Sequence, residues 1–213
     1  MRFLIPLVAA IGLISPAARA DGEKSGVFDY YVMALSWSPN WCRLEGDSRN
    51  SPQCDEREDF GWTLHGLWPQ FHRGWPAFCP TTEPQPTRGM TEAMADIMCT
   101  SGLAWYQWKK HGVCSGLSAR GYYETARKAY ESVRIPQAFR KLSKTVKLPA
   151  SLTKEAFLEA NPGFKREMVT VTCKEGYIQE VRVCLSKDLA PVLCGSDTIK
   201  DCTLKDALFD PVR

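Results

Sequence analysis

After residue 14 the 213-residue chain has no long apolar run, so no later segment is suited to span a bilayer, which takes about 20 apolar residues. It has no excess of either charge sign: 27 Lys+Arg stand against 24 Asp+Glu. That excludes the strongly basic balance of a duplex-DNA binder, and any polyanion site must be local. No CxxC pair occurs, and the three histidines are not spaced as ligands, so zinc is the weaker reading of the nine cysteines. No internal repeat and no interdomain linker is present, and one domain is expected.

What is there begins with an export signal. Arg2, an apolar run from Phe3 to Ile14 and the small-residue stretch Ser15-Pro16-Ala17-Ala18-Arg19-Ala20 have the charge, length and cleavage pattern of a secretory leader. The run is too short for a membrane anchor. Residues 1–20 are therefore expected to be removed, leaving residues 21–213 as a domain large enough for a real core. Cleavage takes two arginines and no acid, so 25 basic residues face 24 acidic ones. The mature protein is expected to be soluble, without a membrane anchor, and periplasmic or secreted. All nine cysteines follow the leader and read as disulfides. Their odd number leaves at least one thiol free or paired outside the chain.

Residues 27–37 (VFDYYVMALSW) read as a central strand buried on both faces. Residues 42–60 are polar, with Cys42 and Cys54 placed to close a loop. Residues 61–70 (GWTLHGLWPQ) are aromatic and β-prone, and the strand is expected to break at Gly66. Residues 71–90 hold four prolines and form a long irregular loop. Thr91 can cap a helix running through Cys99, Ser101 a second through His111, Ser118 a third to about Val133, and Ser151 a fourth ending at Asn161-Pro162-Gly163. Met168–Cys173 and Tyr177–Leu185, joined by Lys174-Glu175-Gly176, read as a β-hairpin. The tail carries Cys194 and Cys202 in loops. Helices in the middle and strands at both ends argue for α+β with a mostly antiparallel sheet.

The chemistry rests on two stretches. His65 alone would read more readily as a hydrogen-bonded core residue than as a proton carrier. A second group changes that: Gln107, Lys110 and His111 share one helix face, and Cys114 lies three residues on, where a disulfide can pin the helix end. Trp105 and Trp108 on another flank read as packing. Two histidines with separated pKa values supply the base and acid that metal-free cleavage of RNA needs. A lysine can neutralise charge growing on the phosphoryl oxygens, and an amide can hold one of those oxygens or fix a ring tautomer. The constellation points to phosphodiester chemistry.

The segments Leu64-His65-Gly66-Leu67-Trp68-Pro69 and Trp108-Lys109-Lys110-His111-Gly112-Val113-Cys114 resemble the two active-site segments of the T2 family of ribonucleases, which are secreted, disulfide-bonded and metal-independent. Residues 30–37 and the late cysteines fit the same family, so the resemblance covers most of the mature chain. It implies a ribonuclease T2-like α+β domain with helices packed on the sheet. It also implies endonucleolytic cleavage of single-stranded RNA through 2′,3′-cyclic phosphates to 3′-phosphates, without metal or cofactor. DNA, which lacks the 2′-hydroxyl, is not a substrate, and a monomer is expected. Residue by residue, it implies His65 and His111 as the acid–base pair, His111 the base and His65 the acid, an assignment the residues alone leave open. It gives Lys110 the transition-state charge and Trp68 a base to stack on. Gln70 lies where some members place an acid that reads the base. The implied disulfides are Cys79–Cys114, Cys173–Cys202, Cys184–Cys194 and Cys42–Cys54, leaving Cys99 free.

Two positions depart from the family pattern His-Glu-Trp-x-Lys-His-Gly, whose first two places here are Tyr106 and Gln107. Tyr106 can donate a hydrogen bond to phosphate but carries no cation. Gln107 keeps the size and loses the carboxylate. A working variant is expected, and a catalytically weakened RNA-binding protein on the same scaffold is the alternative. An unrelated disulfide-stapled binding domain is the third reading, and both histidine motifs argue against it. His72, beside Arg73, reads as a solvated loop residue, and Arg120, Arg127, Arg140, Lys141, Lys144 and Lys147 as solvated helix faces.

Overall fold

Alternation along strand β1 (Tyr30–Trp37) sets the two faces of the sheet in this computed structural model, which describes residues 23–213. Met33, Leu35 and Trp37 point into the main core against the helices, while Tyr30 and Val32 join a small apolar cluster with Cys184 on the opposite face. The expected leader, residues 1–20, lies outside the described residues. Among these, the other strands are β2 (Trp62–Gln70), β3 (Val146–Leu148), β4 (Val169–Lys174), β5 (Tyr177–Leu185) and β6 (Ala207–Phe209). β1 lies between β2 and β5 and is antiparallel to both. β4 pairs antiparallel with β5, and β3 with β6. One parallel contact, Tyr177 to Leu208, joins β6 to β5. The sheet is thus mostly antiparallel and the class α+β, as expected. The hairpin turn between β4 and β5 places Glu175 (φ 50°) and Gly176 (φ 85°) in left-handed backbone, as a two-residue turn matching strand twist requires.

The helices are α1 (Ser38–Trp41), α2 (Arg88–Glu92), α3 (Ala95–Met98), α4 (Ser101–Lys110), α5 (Ala119–Ser132) and α6 (Ala150–Ala160). Ser118 caps α5 through the Gly121 N–H at 3.2 Å. The other three caps differ from expectation. The helix expected from Thr91 to Cys99 is the two short helices α2 and α3; Thr87 caps the first, and Thr91 lies inside it. Thr100, not Ser101, caps α4, because its backbone is extended and its hydroxyl reaches the Leu103 N–H at 3.1 Å. α6 starts at Ala150 after Pro149, with the Ala150 N–H satisfied by the Leu204 carbonyl at 2.9 Å, so Ser151 is not a cap. The segment expected as a loop from residue 42 is instead wound into a π turn (Cys42–Gly46) and two 3₁₀ turns. The strands β3 and β6 were not foreseen in the tail and middle.

α5 covers the edge strand β2. Tyr122 donates its hydroxyl to the Leu67 carbonyl at 2.9 Å, and Tyr130 donates to that of Trp62 at 3.2 Å. Two carbonyls near the sheet edge are thereby satisfied without a further strand. All four implied disulfides are present, and Cys99 is free.

Candidate active site

The pairing of β1 with β2 runs Ala34 to Gly66 and then Leu35 to Leu64, which leaves His65 without a partner. This is a β-bulge, the device by which a strand re-aims a side chain. The strand does not break at Gly66, as expected from the glycine; it continues to Gln70, with Pro69 tolerated on the edge strand. Behind the bulge the sheet is lined by the small residues Ala34 and Ser36 of β1. Across from them stand Arg182 and Glu180 of β5, in register and two residues apart on one strand face. Gly66 is needed here for space. A Cβ would stand 2.2 Å from Gln107 Oε1 and 2.4 Å from Trp68 Nε1.

His65 Nδ1 lies 2.6 Å from Glu180 Oε1. The Glu180 side chain is 3% exposed, and its other oxygen accepts from Arg182 Nε at 2.8 Å and pairs with Nη2 at 2.7 Å. Burial pushes this carboxyl up, but the hydrogen bond and charge of His65, with Arg182 behind them, hold it below the usual carboxylate range. The carboxylate is therefore ionised at neutral pH.

His111 ends α4, its N–H donating to the Gln107 carbonyl at 2.9 Å. The residue is 5% exposed, and Nδ1 is buried without a hydrogen-bond partner. Burial first, then the charges of Lys110 and His65, push it down to about 3, so the ring is neutral at physiological pH. The Cys79–Cys114 disulfide lies just beyond it, and the Phe78 N–H donates to the Lys110 carbonyl at 2.8 Å. The helix end that carries the ring is thus tied to the loop on both counts.

Trp68 joins the two histidines. Its ring stacks on His111 at 5.3 Å between centroids and meets His65 edge-on at 5.3 Å. Its N–H donates to Gln107 Oε1 at 2.8 Å, and the Arg182 guanidinium lies over the ring at 5.3 Å.

A cavity of about 290 Å³ brings together every residue assigned above to chemistry or to substrate: His65, Trp68, Gln70, Tyr106, Gln107, Lys110 and His111. A second cavity of about 370 Å³ shares His65 and Tyr106 with it and continues toward Glu45 and Lys174. Gln107 is buried and spends its oxygen on Trp68, whereas Tyr106 is 45% exposed. Arg182, Asp197 and Thr198 also line the first cavity and Glu180 the second; sequence reasoning missed all four. For the β5 pair a signal existed, two opposite charges two apart in a strand whose other residues, Gln179 aside, are apolar or aromatic. Trp105 is 43% exposed under Lys109, not packed as expected, while Trp108 is in the core. His72 is exposed in its loop, its ring stacked on Tyr30. Arg127 and Arg140 are spent on Asp96 and Asp59. Among the described residues no cluster of His, Cys, Asp and Glu could hold a metal ion, and no helix is long and apolar enough to cross a membrane.

Solved ribonucleases share this α+β fold. An RNase-related protein from Calystegia sepium superposes with a TM-score of 0.64 at 20% identity, over 88% of this chain and 98% of its own. RNase NT, solved with 5′-AMP, gives 0.59 at 18% identity over 87% and 99%. In sequence, a ribonuclease of Aeromonas hydrophila is 30% identical over 97% of this chain and 99% of its own length. The Ribonuclease T2 family profile matches residues 28–202, and the chain belongs to that family of RNA-cleaving enzymes.

Proposed function

We propose that the protein is an exported endoribonuclease that cleaves single-stranded RNA by transphosphorylation. His111 takes the proton of the 2′-hydroxyl, and the freed oxygen attacks the adjacent phosphorus. The bond to the 5′-oxygen breaks as His65 protonates it, leaving a 2′,3′-cyclic phosphate. Water then opens the ring to a 3′-phosphate with the two roles reversed. Lys110 offsets charge on the phosphoryl oxygens. Trp68 and Gln107 hold the two rings apart and in register, while Tyr106 and Gln70 meet the substrate. The nucleophile belongs to RNA, so no metal or cofactor is required and DNA is spared.

The observation that carries this reading is the unlike environment of the two histidines in one cavity: His111 buried and neutral, His65 half-exposed against an ionised carboxylate. Unlike environments are how one site obtains both a base and an acid. The adenylate bound to RNase NT is consistent with a nucleotide in such a cleft. Residues 1–20 act as the export signal, and an N-terminus at Asp21 in protein recovered outside the cytoplasm checks this.

The deciding experiment incubates purified protein with single-stranded RNA in EDTA. Cyclic-phosphate ends that convert to 3′-phosphates, with a DNA oligonucleotide left intact, support the proposal. RNA binding without turnover supports the second reading, a weakened RNA binder, which the absence of a carboxylate at Gln107 favours.

A further inference from the structure

Helix α4 brings one cation, Lys110, to the cleft and no carboxylate. Tyr106 and Gln107 are neutral where the resemblance calls for a histidine and a glutamate. The opposite wall is charged. Glu180 and Arg182 lie two apart on β5, on the face that carries His65. A fully buried carboxylate is costly to desolvate unless it is paired, and an apolar residue would pack there at no such cost. Glu180 divides its two oxygens, one clamped by Arg182 and one left for His65 Nδ1.

We propose that Glu180 and Arg182 supply from strand β5 the charge pair that α4 lacks, Glu180 as a positioning residue for His65 and Arg182 as a ligand of the substrate phosphate. The inference rests on the ribonuclease reading above. Glu180 accepts the Nδ1 proton, which fixes the tautomer and leaves Nε2 to face the leaving group. Arg182 lines the same cavity as Lys110 and His111, with its side chain 30% exposed. Glu180 occupies Nε and Nη2, and a guanidinium has five N–H donors, so donors remain for a phosphoryl oxygen. The other charged or titratable groups lining the two cavities that His65 shares are His111, Lys110, Tyr106 and Asp197 in the first, and Glu45, Arg49 and Lys174 in the second, with Glu45 and Lys174 paired to each other.

The test compares wild type, Glu180→Gln and Arg182→Gln on an RNA dinucleotide, with a 2′-deoxy oligonucleotide as uncleavable ligand. For Glu180→Gln, kcat is expected to fall about 10²-fold with KM little changed. For Arg182→Gln, affinity for the 2′-deoxy oligonucleotide should fall roughly tenfold or more, and Arg182→Lys should restore part of it. Nitrogen-15 spectra of the wild-type His65 ring should show the proton on Nδ1, a readout that survives if a variant fails to fold. A wild type that does not cleave RNA overturns the ribonuclease reading and this inference together. A cleaving wild type with His65 protonated on Nε2 alone, or variants with unchanged kcat and affinity, overturns this inference only.

Discussion

The Trp68 indole N–H donates to Gln107 Oε1 at 2.8 Å, and the same ring is stacked on His111. Gln107 therefore acts on the buried histidine through the indole. With Gln107→Glu, a carboxylate takes the place of that amide oxygen beside a ring held down to about 3 by burial. A negative charge favours the protonated imidazole. If His111 must be neutral to act as base, activity is lost as pH falls through its titration. The acid limb of kcat/KM should then move upward in Gln107→Glu. Movement of the alkaline limb would reverse the base and acid assignments, and no movement would mean that Gln107 does not sense His111.

Acid should destabilise the fold through the same ring. His111 is pushed below its ordinary value of 6.5 to about 3, so between those values the unfolded chain binds a proton that the folded chain refuses. The contribution is fully present above about pH 6.5 and is lost as pH falls toward 3. Glu180, held below its ordinary value of 4.5, acts in the same direction: its contribution is present above that value and lost below it. At about 1.4 kcal/mol per unit, the histidine alone is worth a few kcal/mol. Melting temperatures from pH 7 to 3 should fall less steeply for His111→Gln than for wild type.

Much of the site was legible in the sequence because its parts are local. Gln107, Lys110 and His111 share a face by helical geometry, and the resemblance placed all four disulfides. The partner of His65 was not legible. Glu180 lies 115 residues away, and the contact exists only because β1 carries β2 on one side and β5 on the other. The bulge was hidden for a related reason: Gly66 reads as a break when the strand is seen alone, whereas pairing with Ala34 carries it through. Strands β3 and β6, three residues each, are too short to show a period. Ser101 ranks above Thr100 as a capping type, and only the extended backbone at Thr100 decides against it.

The Cys79–Cys114 disulfide should matter to activity as well as to stability. It closes a separation of 35 residues, and replacing both cysteines with Ala should cost about 2–5 kcal/mol in unfolding free energy. Because the same loop holds the Lys110 carbonyl through the Phe78 N–H, kcat should fall at temperatures where the variant is still folded. Denaturant melts and kinetics on one preparation would separate the two effects.

Cys99 should be inert in the native protein. Burial pushes its thiol up to about 12, and the thiolate is the reactive form. Iodoacetamide at neutral pH should leave it unmodified until denaturant opens the fold, and rapid native labelling would contradict its placement.

The last expectation concerns Gly66, which carries no functional group. A Cβ there would stand 2.2 Å from Gln107 Oε1 and 2.4 Å from Trp68 Nε1, closer than non-bonded atoms approach. Gly66→Ala must therefore push the amide and the indole away from the strand. Overpacking of this kind costs about 1–3 kcal/mol, and here it also moves the ring that spaces His65 from His111. Gln107→Ala removes two of the three clashing atoms, Oε1 and the Cδ at 2.8 Å, but leaves the indole N–H without its acceptor, itself a cost of about 1–3 kcal/mol. The double variant Gly66→Ala, Gln107→Ala should then be less destabilised than the sum of the singles, since the methyl group fills part of the space the amide left. A cycle of four urea melts measures that coupling. Strict additivity would mean that Gly66 and Gln107 do not meet, and that the close approach behind His65 is not what the glycine is for.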